Sequence, residues 1–263
     1  MRFSGRTAAW LLAAAALAGC GSTGGTTGGG GTSASDRSVL DITWGWGWES
    51  TASSGPYRDM TPVERERMLD YYRSRVTEED AAGNALPAVE QVRFEAKAES
   101  NAPTGAAVEP VSFVDSRGRA VRLEDYEGKK ALVLVFTRGF PGYICPLCTS
   151  YTAQVAHRYA EIAAAGAEVL LVFPGSPDRV EEFVRAAREI LELEGPGALP
   201  FPVLLDMELK NVKAFGIEGE LARPSTYVID RKGTVRFAYV GDQPHERPDV
   251  DTLLGELGRL MGD

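Results

Sequence analysis

Histidine and cysteine are scarce in this 263-residue chain, with two of the first and three of the second. That scarcity excludes most metal-site patterns, which need four or more such residues at fixed spacings. There is no second C-x-x-C, and Thr149 rather than His follows Cys148, so the c-type haem attachment pattern is excluded. A basic run is also missing. Lys and Arg total 28 against 37 Asp and Glu, a net charge of −9, which argues against nucleic acid as a partner. No internal repeat of solenoid length is visible. The 44% hydrophobic content is ordinary for a globular protein. The length allows one domain of about 150 residues plus additional segments.

The N-terminus reads as a targeting segment. Arg2 and Arg6 form a positive start, and the apolar run Ala8–Ala18 is too short to span a bilayer as a stable helix. Leu17-Ala-Gly-Cys20 resembles the lipobox of bacterial lipoproteins, which implies cleavage of residues 1–19 and acylation of Cys20. The alternative is an ordinary cleaved signal with an unrelated cysteine. The expected location is the cell envelope, lipid-anchored to a bacterial membrane and facing the periplasm or exterior. Residues 20–37, rich in Gly, Ser and Thr, bury too little apolar surface to offset their ordering entropy and read as a flexible tether.

Residues 38–103 read as an N-terminal extension. Trp44, Trp46 and Trp48 fall on one face if extended, and we expect them to pack the extension onto the main domain. Thr61-Pro-Val-Glu64 predicts a capped helix over 61–76, followed by weakly ordered linker to Pro103. From Val108 the pattern becomes regular. Strands are predicted at 111–115, 119–123, 131–137, 167–173, 201–205, 226–230 and 234–240, with helices at 146–165, 178–193, 208–215 and 248–261. Alternating strands and helices closed by a hairpin predict an α/β domain over 104–263, a central mixed β-sheet with helices on both faces.

The chemistry-bearing motif is Cys145-Pro-Leu-Cys148, placed where a buried strand gives way to a helix. Two thiols at this spacing can form and break a disulfide. Pro146 is tolerated in a first turn, where its missing N–H has no intrahelical partner anyway. The positive end of the helix dipole favours a thiolate, the nucleophile of disulfide exchange. Cys145 is therefore expected to attack and Cys148 to resolve.

Four stretches carry a family resemblance: Val121–Lys130, the Cys145/Cys148 turn, Phe201–Asp206 and Pro224–Val235. In this order they resemble the redoxin group of the thioredoxin fold, which includes AhpC/TSA-type peroxiredoxins and membrane-linked thioredoxin-like proteins. The resemblance implies a thioredoxin-like fold and a thiol-dependent oxidoreductase without a cofactor. Its partners would be a protein disulfide or hydroperoxide and a thiol reductant. It also implies that Pro224 is a cis-proline facing the cysteines. Peroxiredoxins place Thr or Ser three residues before the peroxidatic Cys and Pro four before that; counted from Cys145, those positions hold Gly142 and Arg138. Pro141 is then out of register. The family's arginine position is filled by Pro224, leaving Arg138 or Arg223 as substitutes. Many thioredoxins also bury an acid in the strand before the motif, and Ala131–Phe136 has none. These departures tilt the expectation toward disulfide exchange over peroxide reduction. The alternative is a non-catalytic protein in which the cysteines form a structural disulfide or, with His245, hold copper. His157, nine residues beyond Cys148, lies too far along the helix to act on it.

Overall fold

Six consecutive apolar residues, Ala131–Phe136, form an inner strand of the fold, and all six are buried. In the computed structural model, which describes residues 38–43, 59–139, 144–193 and 196–261, this strand (β3) lies inside a seven-stranded sheet. Cys20, the tether, Trp44–Trp48 and turn residues 140–143 lie outside the described residues. The strands are β1 (Ser112–Asp115), β2 (Ala120–Arg122), β3, β4 (Ala167–Phe173), β5 (Val203–Leu205), β6 (Ser225–Ile229) and β7 (Val235–Val240). Their spatial order is β2-β1-β5-β4-β3-β6-β7. β3 pairs parallel with β4 and antiparallel with β6, so the sheet is mixed as expected. Because strand side chains alternate, β3 feeds two cores. Val133 and Val135 join the cysteines on one side, and Leu132, Leu134 and Phe136 join an aromatic cluster on the other.

Besides a helical turn at 39–43, the helices are α1 (Pro62–Arg73), α2 (Pro146–His157), α3 (Tyr159–Ala164), α4 (Pro177–Ile190), α5 (Lys210–Ala214) and α6 (Val250–Met261). The single helix expected over 146–165 is divided at Arg158, which closes α2 and opens α3. Its guanidinium bridges Glu161 and Asp251, tying this joint to α6. At α1, the Thr61 hydroxyl accepts from the Glu64 N–H and the Glu64 carboxylate accepts from the Thr61 N–H. This reciprocal cap satisfies donors that the first turn otherwise leaves unpaired. The helix ends at Arg73, short of the expected 76.

The largest departure from the sequence reading concerns the remainder of the extension, expected to be a weakly ordered linker. It is instead built into the fold. Val76 pairs with Val92, Glu79 with Ala85, and a 3-10 turn covers Ala88–Glu90. Ala88, Val89 and Val92 are buried, and the Gln154 amide of α2 donates to the Val92 carbonyl at 2.7 Å. Further on, residues 100–108 run along β7: Ala102 N–H donates to the Ala238 carbonyl and Val108 N–H to that of Gly233. Isolated apolar residues at irregular spacing display no period, yet each fills a specific gap, so pattern reading missed them. Covering the β7 edge also satisfies backbone groups that an open edge would leave unpaired.

Candidate active site

Cys145 is the N-cap of α2, with extended backbone (φ −82°, ψ 119°), and Pro146 occupies the first turn. This places Cys148 one turn into the helix. Both are free thiols and each is only 1% exposed. The Arg138 N–H, just past β3, donates to Cys148 Sγ at 3.2 Å. A second donor comes from Arg247, whose Nη2 lies 2.9 Å from the same sulfur.

Arg247 organises this site. It is the largest of the fully buried side chains, at 1% exposure. A buried guanidinium is costly unless its donors are used and its charge is answered. Its Nη1 donates to the Phe136 carbonyl and its Nε to that of Pro244, both at 3.2 Å. Its guanidinium carbon lies 5.2 Å from the centre of the Tyr151 ring, a cation–π contact. A tight loop presents it. The Asp242 and Gln243 N–H groups both donate to the Glu246 carboxylate, and Gly241 lies so close to the Glu246 carbonyl that a Cβ there would sit 2.2 Å from its oxygen. Only glycine fits that approach.

The electrostatics separate the two thiols. Burial pushes the Cys148 thiol up, but this is outweighed by a hydrogen bond from the Cys145 thiol, the Arg247 charge and the Arg138 N–H. Together they bring it down to about 6. Cys145 moves the other way: burial and its neighbour Cys148 hold it well above the ordinary value of 9.0. The two thiols thus diverge opposite to expectation, because both share the helix N-terminus but only Cys148 receives the two directed donors. These donors favour the thiolate, the reactive form, on Cys148.

The remaining candidates divide. Arg138 does reach the site, through its main-chain N–H and its charge. Arg223 does not serve the thiols; its guanidinium pairs with Asp242 at 2.6 Å. Pro224 is buried, but no cis peptide occurs among the described residues, which corrects the cis expectation. Ala222 bridges to Gly139 and the chain then runs directly into β6, so no reversal at Pro224 is required. The Pro224 carbonyl accepts from the Gly241 N–H and so steadies the arginine loop. His157 is exposed at the end of α2. His245 Nδ1 is taken by the Tyr71 hydroxyl at 2.5 Å, and among the described residues no three His, Cys, Asp or Glu gather as metal ligands.

Arg247 was missed because it follows the last strand rather than the penultimate one. The sequence does hold a spacing that singles out Cys148. Counted from Cys148, Pro141 stands seven residues before and Cys145 three before. The peroxiredoxin spacing is then in register, with a thiol in place of the Thr or Ser hydroxyl.

The extension roofs this site. Phe94 packs edge-on against Tyr151 at 4.9 Å. Glu95 is stitched into the arginine segment, its N–H donating to the Arg247 carbonyl and its carbonyl accepting from the Asp249 N–H.

Comparison with known proteins identifies the family and the fold. The model of the AhpC/TSA family matches residues 100–238, just over half the chain. Chloroplastic peroxiredoxin Q of Sedum lineare is 28% identical over 153 residues, covering 57% of this chain and 75% of its own length. That of Populus jackii is 29% identical over 150 residues, covering 55% and 64%. Among solved structures, a mutant of peroxiredoxin 6 from Arenicola marina aligns with a TM-score of 0.53 at 14% identity, over 61% of this chain and 74% of that one. At that identity the likeness speaks to the fold alone.

Proposed function

Because the chain belongs to the AhpC/TSA family and carries a peroxiredoxin-like domain of the thioredoxin fold, we propose that it is a thiol peroxidase whose attacking group is Cys148. The observation that carries this reading is the Cys148 sulfur held between the Arg247 guanidinium and the Arg138 N–H. The thiolate attacks one oxygen of a hydroperoxide, the O–O bond breaks, and Cys148 becomes a sulfenic acid while the leaving alkoxide or hydroxide takes up a proton. Arg247 has N–H groups beyond those bonded to protein, and a fixed cation beside the developing oxyanion lowers the barrier. Cys145 then displaces water from the sulfenic acid, forming the Cys145–Cys148 disulfide. An external dithiol restores both thiols and leaves as a disulfide.

Burial favours a small hydroperoxide over a protein disulfide. With both sulfurs 1% exposed, the structure around them would have to open before the disulfide of a folded partner met Cys148. Stopped-flow oxidation by hydrogen peroxide, followed by mass spectrometry with a sulfenic acid trap, tests the reading. Cys145→Ser should accumulate the trapped adduct on Cys148, and Cys148→Ser should lose peroxide reactivity by on the order of 10³ or more. Trapping on Cys145 instead would reverse the assignment.

We also propose that the enzyme belongs to the cell envelope, held by lipid on Cys20, on the support of the Leu17–Cys20 motif and the tether behind it. Loss of membrane sedimentation in Cys20→Ala is the expected result. Equal sedimentation of both proteins would remove the anchor.

A further inference from the structure

The buried cation beside Cys148 is held without a carboxylate. The hydrogen bonds of the Arg247 guanidinium run to two carbonyls and one sulfur. The acids near it in sequence are spent elsewhere. The Glu246 carboxylate accepts from the Asp242 and Gln243 N–H groups, and that of Asp249 accepts from the Thr252 N–H at 2.8 Å. A carboxylate partner would fix a buried guanidinium, but it would also take up the charge that favours the Cys148 thiolate. The position of Arg247 must come from another source.

An aromatic face supplies it. Tyr151 lies three residues beyond Cys148 on α2, a spacing that puts both side chains on one face of the helix. Its ring is fully buried, and the Arg247 guanidinium carbon lies 5.2 Å from the ring centre. A ring attracts a cation through its quadrupole and carries no formal charge of its own. It therefore holds Arg247 2.9 Å from the Cys148 sulfur and leaves the positive charge for the thiolate.

Two adjacent residues of the extension grip both members of this pair. Phe94 meets the Tyr151 ring edge-on, with centroids 4.9 Å apart and planes at 76°. The main chain of Glu95 forms a parallel bridge to the arginine segment. Its N–H donates to the Arg247 carbonyl at 2.8 Å, and its carbonyl accepts from the Asp249 N–H at 3.0 Å. A third tie joins the Tyr71 hydroxyl to His245 Nδ1 at 2.5 Å, two residues before Arg247. Arg247, Phe94 and Glu95 all lie outside residues 100–238, the stretch that matches the AhpC/TSA model.

We propose that Tyr151 and the Phe94–Glu95 segment are positioning residues of the active centre: the extension clamps ring and arginine together, and the ring sets the guanidinium against Cys148 Sγ. They act through Arg247. Their catalytic meaning rests on the peroxidase reading, whereas the charge on Cys148 is measured without peroxide.

The test is iodoacetamide labelling of the Cys148 peptide in the full chain carrying Cys145→Ser, followed against pH by mass spectrometry. The midpoint of the profile reports the thiolate, and its high-pH plateau reports access, so the two are separated. Adding Tyr151→Leu removes the ring face and should lower the thiolate fraction at pH 7 by about tenfold. Tyr151→Phe keeps the face and should restore the fraction to within about twofold of the parent. Phe94→Leu should lower it by about threefold, and it keeps the test available if Tyr151→Leu does not fold. Phe201→Leu, at a buried ring that packs on Tyr159, is the structural control and should leave the midpoint in place.

A midpoint that Tyr151→Leu and Phe94→Leu shift no more than Phe201→Leu does would overturn the proposal. Equal loss in Tyr151→Phe and Tyr151→Leu would also overturn it, by moving the effect from the ring to the hydroxyl. If the midpoints shift as expected while wild-type Cys148 reacts with hydrogen peroxide no faster than a free thiolate, the positioning role stands and the peroxidase reading fails.

Discussion

The two sides of the sheet are built from the same strands yet hold different chemistry. On one side, Phe113, Phe136, Phe215 and Tyr227 pack ring against ring under a five-residue helix, α5. On the other, four longer helices (α2, α3, α4 and α6) and the extension enclose two thiols, a guanidinium and the hydroxyls of Tyr151 and Thr226. Aromatic packing needs only volume and contact, so the first side is covered thinly. Buried charge needs directed partners and exclusion of water, and this explains why the second side recruits distant segments, from Phe94 to Arg247. In this fold, reactivity follows the depth of polar burial.

The sharpest way to break this comparison is to remove the cation. In Arg247→Met the volume is largely kept, and Cys148 takes up a proton rather than remaining an uncompensated charge. Its pKa should climb from about 6 to beyond the ordinary 9.0, since burial is then less opposed. The thiolate fraction at pH 7, read from ultraviolet absorbance, should drop by about 10²-fold, with the peroxide rate falling at least as far. An unchanged titration would show that Arg247 is only structural.

A matched pair of truncations separates cover from packing. Phe94 and Phe215 are both half-buried aromatic residues, one on each side of the sheet. Phe94→Ala and Phe215→Ala should each destabilise the protein by about 2–3 kcal/mol, at or below the lower end for a fully buried ring. Only Phe94→Ala should speed alkylation of the cysteines by a bulky maleimide. Equal labelling of both variants would contradict the roofing role of the extension.

The lowered Cys148 pKa also makes stability depend on pH. Between about 6 and the ordinary 9.0, the unfolded chain binds a proton at this site that the folded protein does not. Stability from this group should therefore rise with pH across that window, and be lost as pH falls through 6. Cys148→Ser should flatten the slope in denaturant titrations. A slope unchanged by the substitution would place the titrating group elsewhere.

The smallest effect is expected at the start of the extension. Thr61→Ala removes one half of the reciprocal cap on α1 and should cost about 1 kcal/mol. Because the cap holds only the first turn of α1, hydrogen exchange in that helix should rise while exchange in β3 stays the same.

How much was legible in advance can be judged from particular elements. Strand β4 was expected at 167–173 and is found there, and β3 differs by one residue, because a continuous apolar run between turn signals marks a strand buried on both faces. The capped start of α1 was equally plain, since both halves of its cap lie within four residues. The dithiol and the family resemblance were read from short contiguous motifs for the same reason. By contrast, residues 77–95 carried no periodic signal, and Arg247 stood in a polar loop like many surface arginines.

The amino-acid order alone determined the α/β pattern, the dithiol at a helix start and the thioredoxin-like kinship, because each is encoded over a few adjacent residues. Which sulfur bears the charge was decided by tertiary structure. Cys145 and Cys148 share one helix end, and what distinguishes them is a guanidinium 99 positions further along the chain, brought within 2.9 Å of one sulfur by folding.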